Sequence, residues 1–299
     1  RPRCRHWPLR NWPSRPAYLG VFQVVTGDAP TLSARLMQRP EVRAFSFTGS
    51  TQIGRLLLEQ SAQTLKKVSL ELGGHAPFIV FDDASLDEAV SGCMAAKFAT
   101  SGQDCLAANR IYIQRGLYAP FVQAFSEATA RLKLGHGLEA GVGIGPMTRL
   151  SVANKCRDQI GNALALGARL TAGGQECGLG SSFVTPTVLA DVTDEMDIVL
   201  EETFGPVAAL LPFDTEEQVL RRAYSTEYGR PPTFTPTTCA APRGSRTGWS
   251  SAWSPSIPAR FTGPPIPFGG WKQSGLGREG SRHGLAEYME LKYVCVGSL

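Results

Sequence analysis

The chain has 299 residues, a net charge of +4, 42% apolar and 19% charged side chains, enough to bury a sizeable core in one large or two ordinary domains. No apolar run approaches the ~18 residues of a membrane span, so no membrane association is expected. The basic residues are scattered apart from residues 1–15 and 221–246, which argues against nucleic acid as a partner.

Seven cysteines at irregular spacings, with no secretory signal read, point to a reduced cytoplasmic setting rather than a disulfide framework. His6, His75, His136 and His283 lie far apart without a CxxC or HExxH partner, so no metal is expected.

In chain order, residues 1–19 come first, and Pro2, Pro8, Pro13 and Pro16 keep them out of any helix. A similar block occupies residues 230–265, and the two windows hold most of the 21 prolines and four of the five tryptophans. Linkers seldom carry this much Trp and Cys. Read one base out of register, His6-Trp7 and Asn11-Trp12 encode only Leu, and Trp7-Pro8 and Trp12-Pro13 only Ala. Permitted codons then turn residues 5–19 into ALALAELAEQAGVP, an amphipathic helix and a turn. The same shift converts the segment from Arg230 into ASYFYTDDLRRA and residues 252–259 into MVAVNTG. Both windows are therefore expected to be translated out of frame, and residues 230–265 to be loop-like and poorly packed. A gene in which no single-base insertion or deletion restores these strings refutes the frame shift.

From Gly20 strands and helices alternate. Residues 21–25 read as a short buried strand, 31–38 as a helix and 44–47 as a second strand. Thr48-Gly-Ser-Thr51 is a glycine turn opening a helix over 52–65. N–H groups at such a start suit a phosphate, although the same pattern recurs for packing reasons alone. Residues 75–81 read as a buried strand, and Asp82-Asp-Ala-Ser-Leu-Asp87 caps a helix to about Phe98. A strand over 110–114 and helices over 118–132 and 150–166 follow, the last stopped by Gly167. Residues 183–189 read as a strand interrupted at Pro186, hence near a sheet edge, and 208–212 as a further strand. Repeated βα units argue for open α/β sheets.

Two stretches carry chemistry: Glu71-Leu-Gly-Gly-His75, at the end of the buried-looking run 68–72, and Gly102-Gln-Asp-Cys-Leu106. A thiolate at Cys105 is suited to attack a carbonyl, giving a tetrahedral adduct and then a thioester. An acid in apolar surroundings, such as Glu71, is suited to deliver water as general base. The same residue types also occur as a buried small hydrophobe and a solvated acid. Cys93, Cys156, Cys177 and Cys295 fall where buried or strand positions are expected.

The ordered set Phe47-Thr-Gly-Ser-Thr51 with Gly54, Glu71-Leu-Gly-Gly74, Gly102-Gln103 before Cys105, Glu201-Glu-Thr-Phe-Gly-Pro206 and Pro267-Phe-Gly-Gly270 resembles the motifs of the aldehyde dehydrogenase superfamily. The tail Lys272-Gln-Ser-Gly-Leu-Gly-Arg-Glu-Gly280, running on to Glu290-Leu-Lys-Tyr293, is similar to that of succinate-semialdehyde dehydrogenases. The resemblance covers about residues 20–229 and 266–299 and corresponds to the C-terminal part of such an enzyme.

The resemblance implies a partial Rossmann-like cofactor-binding domain (1–71), an α/β catalytic domain (72–270) and a C-terminal segment (271–299) with an oligomerisation strand over 286–296. It implies NAD or NADP as cofactor, a small aldehyde as substrate and a homo-oligomer in the intact enzyme. Cys105 matches the nucleophile and Glu71 the base. Gly49, Ser50, Gly54, Leu72 and Gly73 fall on the cofactor surface, with Glu202 on the nicotinamide ribose and Phe204 its apolar neighbour.

Three features depart from the pattern. Asp104 replaces a small or apolar neighbour of the nucleophile, and Ala99 stands where semialdehyde enzymes often carry Arg. The asparagine that supplies an oxyanion donor and the segment that binds the adenosine ribose match positions upstream of residue 1. This chain alone is accordingly expected to be impaired. A catalytically dead association module and a nicotinamide-independent cysteine esterase are the competing readings.

Overall fold

The computed structural model describes residues 22–229, 233–235 and 263–297; the expectations for residues 1–19, for 252–259 and for the rest of the 230–265 window apart from 233–235 and 263–265 lie outside the described residues. The first unit is a small sheet with two helices. Helix α1 (Ala29–Gln38) starts at Asp28, whose carboxylate accepts the Thr31 N–H at 3.0 Å. Strand β1 (Ala44–Thr48) leads into α2 (Thr51–Ala62), capped by Ser50 Oγ on the Ile53 N–H at 3.4 Å. Strand β2 (Lys67–Glu71) pairs parallel with β1, from Ala44 opposite Lys67 to Thr48 opposite Glu71.

The second unit is a six-stranded sheet. It contains β3 (Ala76–Val80), β4 (Ala108–Gln114), β5 (Arg169–Ala172), β6 (Thr187–Ala190), β7 (Val207–Phe213) and, after the short β8 (Tyr228–Gly229), β9 (Thr233–Thr235). The order is β5-β6-β7-β4-β3-β9, parallel throughout except for β5. Side chains alternate between the faces. Phe78, Val80, Ile111, Ile113 and Leu210 pack with Phe98 of α3 (Leu86–Phe98) and with Phe121 and Phe125 of α4 (Arg115–Ala130). Ile79, Tyr112, Leu211 and Phe213 pack on the opposite face. There they meet α5 (Leu150–Ala165), α6 (Asp197–Leu200) and α7 (Glu216–Tyr224). Both faces are covered, which is why these strands read as continuous apolar runs.

Gly167 (φ +97) ends α5 as expected: its N–H reaches the Leu164 carbonyl and the Ala168 N–H the Ala163 carbonyl. Near the C-terminus, β10 (Trp271–Lys272) pairs with β8, and β11 (Gly275–Leu276) pairs antiparallel with β2, ahead of α8 (Ser281–Ala286). Among the described residues no helix is long and apolar enough to cross a membrane.

Several expectations are corrected. Residues 22–25 form no strand; Val24 and Val25 are 72% and 70% exposed, so the burial that would hold an apolar run on a sheet face is missing. The strand expected over 183–189 begins only at Thr187, after Pro186, and lies inside the sheet between β5 and β7 rather than at its edge. Pro186 precedes the ladder and costs it no donor. Within the window expected to be loop-like, residues 233–235 add to the sheet beside β3. Backbone pairing needs little from side-chain identity, so Thr233-Phe-Thr235 can join the sheet edge although the window is rich in proline. Residues 287–297 form neither helix nor strand within one chain, and Leu291, Tyr293, Val294 and Val296 are exposed.

Candidate active site

The sheet register decides where the site lies. Strand β3 follows Glu71-Leu-Gly-Gly-His75 directly, β4 follows the turn of Cys105, and β7 follows Glu202-Thr-Phe-Gly-Pro206. Ala76 pairs with Ala108 and Arg110 with Ala209, all parallel, so the three lead-in segments arrive at one end of the sheet. That end faces the C-terminal ends of β1 and β2, where Thr48 pairs with Glu71. Ligand crevices of open α/β sheets lie beyond carboxyl ends of strands. Here the small sheet supplies the carboxyl ends and the large sheet the amino ends.

Glycines let the segments touch. Gly102 (φ +69) lies against the Gly205 backbone, and a Cβ on it would overlap the Gly205 carbonyl. A Cβ on Gly73 would sit 2.5 Å from Glu202 Oε2, while Glu202 Oε1 accepts the Gly74 N–H at 2.8 Å. Gly54 of α2 is equally close to Leu72, so the helix rests directly on the acid-bearing turn. The Gly49 N–H donates to the Glu71 carbonyl at 3.0 Å, which staples the Thr48-Gly-Ser-Thr51 turn to the acid. From the far end of the chain, Ser274 O accepts the Leu72 N–H at 3.0 Å and Gln273 O the Thr51 hydroxyl at 3.2 Å.

Glu71 is 2% exposed; Cys105, Glu202 and Phe204 are half-buried. Phe204 has φ +52, in the left-handed region, which for a bulky residue is kept only where the surroundings impose it. Asp104 Oδ1 accepts the Leu106 N–H at 2.9 Å, so this carboxylate is turned into the backbone of the thiol's own turn.

Behind these segments lies a layer of buried charge. Arg110 donates to the His75 carbonyl at 3.1 and 2.9 Å and to the Arg222 and Ala223 carbonyls at 3.1 and 3.0 Å, so the end of α7 receives a cation. His75 Nε2 lies 2.7 Å from the Val199 carbonyl and therefore carries the proton. Burial, then the Arg110 charge, hold the ring's pKa well below 6.5 and the ring neutral. Lys97, 0% exposed, donates to Asn109 Oδ1 at 3.0 Å, and Asn109 donates to the Gly74 carbonyl at 3.2 Å.

All nine sequence-predicted residues, Cys105, Glu71, Gly49, Ser50, Gly54, Leu72, Gly73, Glu202 and Phe204, lie on these converging segments. Lys97, Asn109, Arg110, Gln273 and Ser274 were not foreseen. Lys97 had a visible signal: Ala89, Cys93 and Lys97 recur every fourth residue on the buried stripe of α3, an odd place for a lysine. The cysteine expectation needs correcting. Cys93 and Cys156 are buried, but Cys177 is half-buried and Cys295 exposed, because residues 291–297 of the tail that carries Cys295 are exposed throughout.

The aldehyde dehydrogenase family model matches residues 18–294. The chain belongs to the aldehyde dehydrogenase family. It is 49% identical over 280 residues to the 3-sulfolactaldehyde dehydrogenase of Pseudomonas putida, covering 94% of this chain and 58% of that enzyme. To the NADP(+) succinate-semialdehyde dehydrogenase of Escherichia coli it is 46% identical over 282 residues, covering 93% and 58%. The crystal structure of an aldehyde dehydrogenase from Brucella melitensis biovar abortus superposes with a TM-score of 0.89 at 45% identity, covering 92% of this chain and 56% of that one. The chain thus spans under three-fifths of the length of these relatives.

The family implies a nicotinamide dinucleotide, and the residues present fit part of one. Helix α2 offers its N-terminal N–H groups behind Gly49 and Ser50, as a pyrophosphate requires. Gly54 lies against Leu72 and Gly73 against Glu202, close approaches that hold the acid-bearing turn beside the start of α2.

Proposed function

We propose that the protein oxidises a small aldehyde to its carboxylic acid with NAD or NADP, through a thioester on Cys105, and that succinate semialdehyde is the substrate. The observation that carries this reading is the convergence of the Cys105, Glu71 and Glu202 segments at one end of the sheet. The thiolate of Cys105 adds to the aldehyde carbon, and its backbone N–H donates to the developing oxyanion, a kind of donor worth ~10²–10³ in rate. Gly49, Ser50, Gly54, Leu72, Gly73, Glu202 and Phe204 would hold the nicotinamide nucleotide, which would accept the hydride that leaves the tetrahedral carbon as the adduct becomes the thioester. Glu71, shielded from bulk water, takes a proton from the water that attacks the thioester carbonyl, releasing the acid and returning the thiolate.

The motif Lys272-Gln-Ser-Gly-Leu-Gly-Arg-Glu-Gly280 and relatives named for succinate, glutarate and sulfolactaldehyde substrates favour an aldehyde with an acid group at its far end. The boundaries at residues 71 and 270 belong to the same proposal, with the two sheets supporting the first. A homo-oligomer joined through residues 286–296 and a cytoplasmic setting complete it. The exposed Leu291, Tyr293 and Val296 support the former, and the free thiols of the described cysteines the latter.

On its own the 299-residue chain is expected to turn over slowly, so the test reads the covalent step as well. Succinate semialdehyde with NAD or NADP should raise the reduced-nicotinamide absorbance, and Cys105→Ala should abolish the rise. The aldehyde should also shield Cys105 from alkylation. Neither signal with any aldehyde tried would overturn the reading in favour of an association role, and ester hydrolysis without either would favour the esterase.

A further inference from the structure

Lys97 is a fully buried ammonium that the chemistry above does not use. Taking a lysine out of water costs several kcal/mol unless something offsets it. Among the described residues its hydrogen-bond acceptor is the neutral Asn109 Oδ1, at 3.0 Å. The titratable groups around it are Cys93 on its own helix, Cys156 on α5, Glu202 ahead of β7 and, feeling its charge in turn, His75 ahead of β3. Among the described residues no carboxylate forms a salt bridge with it. A lysine kept in such a position for packing alone would serve better as methionine.

The hydrogen bonds beyond Asn109 show what the ammonium governs. Asn109 Nδ2 donates to the Gly74 carbonyl at 3.2 Å, and the Gly74 N–H donates to Glu202 Oε1 at 2.8 Å. Both polar groups of Gly74 are thereby used in one relay, with a cation at its start and a carboxylate at its end. Gly74 lies three residues after Glu71, and Asn109 four residues after Cys105. The relay therefore joins the turn of the acid to the strand that leaves the thiol's turn.

We propose that Lys97 is the positioning residue of this site: through Asn109 and Gly74 its buried charge holds the Gly73–Gly74 turn and docks Glu202 against it, setting where the cofactor-side carboxylate stands. The assignment of Glu202 to the cofactor side rests on the function proposed above; the relay itself does not. Burial lowers the Lys97 pKa from 10.5 to about 8, so the hold is strongest at neutral pH and slackens as the ammonium loses its proton.

Amide hydrogen exchange of the protein without nucleotide tests this. In Lys97→Met, exchange of residues 72–76 should rise about 10-fold or more while β4 and β7 stay protected. Lys97→Arg should restore most of the protection, and Asn109→Ala should reproduce the loss with Lys97 intact. Wild-type residues 72–76 should also lose protection above about pH 8, beyond the ordinary base-catalysed rise, and Lys97→Met should not.

Unchanged protection at residues 72–76 in both Lys97→Met and Asn109→Ala, or loss spread equally over the sheet, would overturn the proposal. If Lys97→Met does not fold, Asn109→Ala and the wild-type pH series decide alone. Failure of NAD and NADP to bind would sink the cofactor role of Glu202 and leave the relay standing.

Discussion

Gly102 packs its α-carbon against the carbonyl of Gly205, joining the turn that carries Cys105 to the segment that carries Glu202 and Phe204. At φ +69 the position also favours glycine by backbone alone. Gly102→Ala should therefore lower the unfolding free energy by at least about 1–2 kcal/mol, the usual strain of a left-handed residue, with the clash added. It should also slow alkylation of Cys105 relative to Cys295, because the turn must move. Urea titration and mass spectrometry check the two parts; an unshifted midpoint would mean the contact is looser than described.

Most of the scaffold was legible because its signals are local. Ser50 before α2, Gly167 after α5 and the apolar runs of β3 and β7 each act within a few residues. Pro186 was misread because whether a proline interrupts a ladder depends on where that ladder starts, which the partner strands decide. Asn109 and Ser274 stayed hidden for a similar reason. The Asn109 bond to Gly74 spans 35 residues and the Gly74 bond to Glu202 spans 128, so nothing in either neighbourhood announces them.

His75 makes stability depend on pH. Its folded pKa lies well below 6.5 because the ring is buried and Arg110 is near, whereas in the unfolded chain it titrates at about 6.5. Below that pH the unfolded chain takes up a proton that the folded one refuses. The contribution is complete above about 6.5 and is lost as pH falls towards the folded value, at up to about 1.4 kcal/mol per pH unit. His75→Asn should be less stable at pH 7, and the gap to wild type should narrow between pH 6.5 and 5. Parallel curves would show that His75 does not set the slope.

Thiol reactivity should divide along burial. The Cys156 thiol is pushed up to about 11 and that of Cys93 well above 9, both by burial, so neither offers much thiolate near pH 8. Among the described cysteines, iodoacetamide should label Cys105, Cys177 and Cys295 first. An aldehyde should then protect Cys105 alone, since Cys295 is exposed on the tail and Cys177 lies on a separate loop. Early labelling of Cys93 or Cys156 would show that the native core opens more readily than its packing implies.

Glu71 should act after the thioester forms, not before. With an activated ester such as p-nitrophenyl acetate, Cys105 can be acylated without any nucleotide, and only deacylation then needs a base. Glu71→Gln keeps the size and the β2 backbone bonds but cannot accept the proton of water. The initial burst of nitrophenol should therefore persist, while steady release falls by roughly 10²–10⁴, the usual share of a general base. Intact-mass spectra should show the acetylated protein accumulating, with the added mass on Cys105. Loss of the burst itself would instead place Glu71 in activating the thiol. A wild-type protein that neither releases nitrophenol nor becomes acetylated would remove Cys105 from the nucleophile's role and leave the association reading in its place.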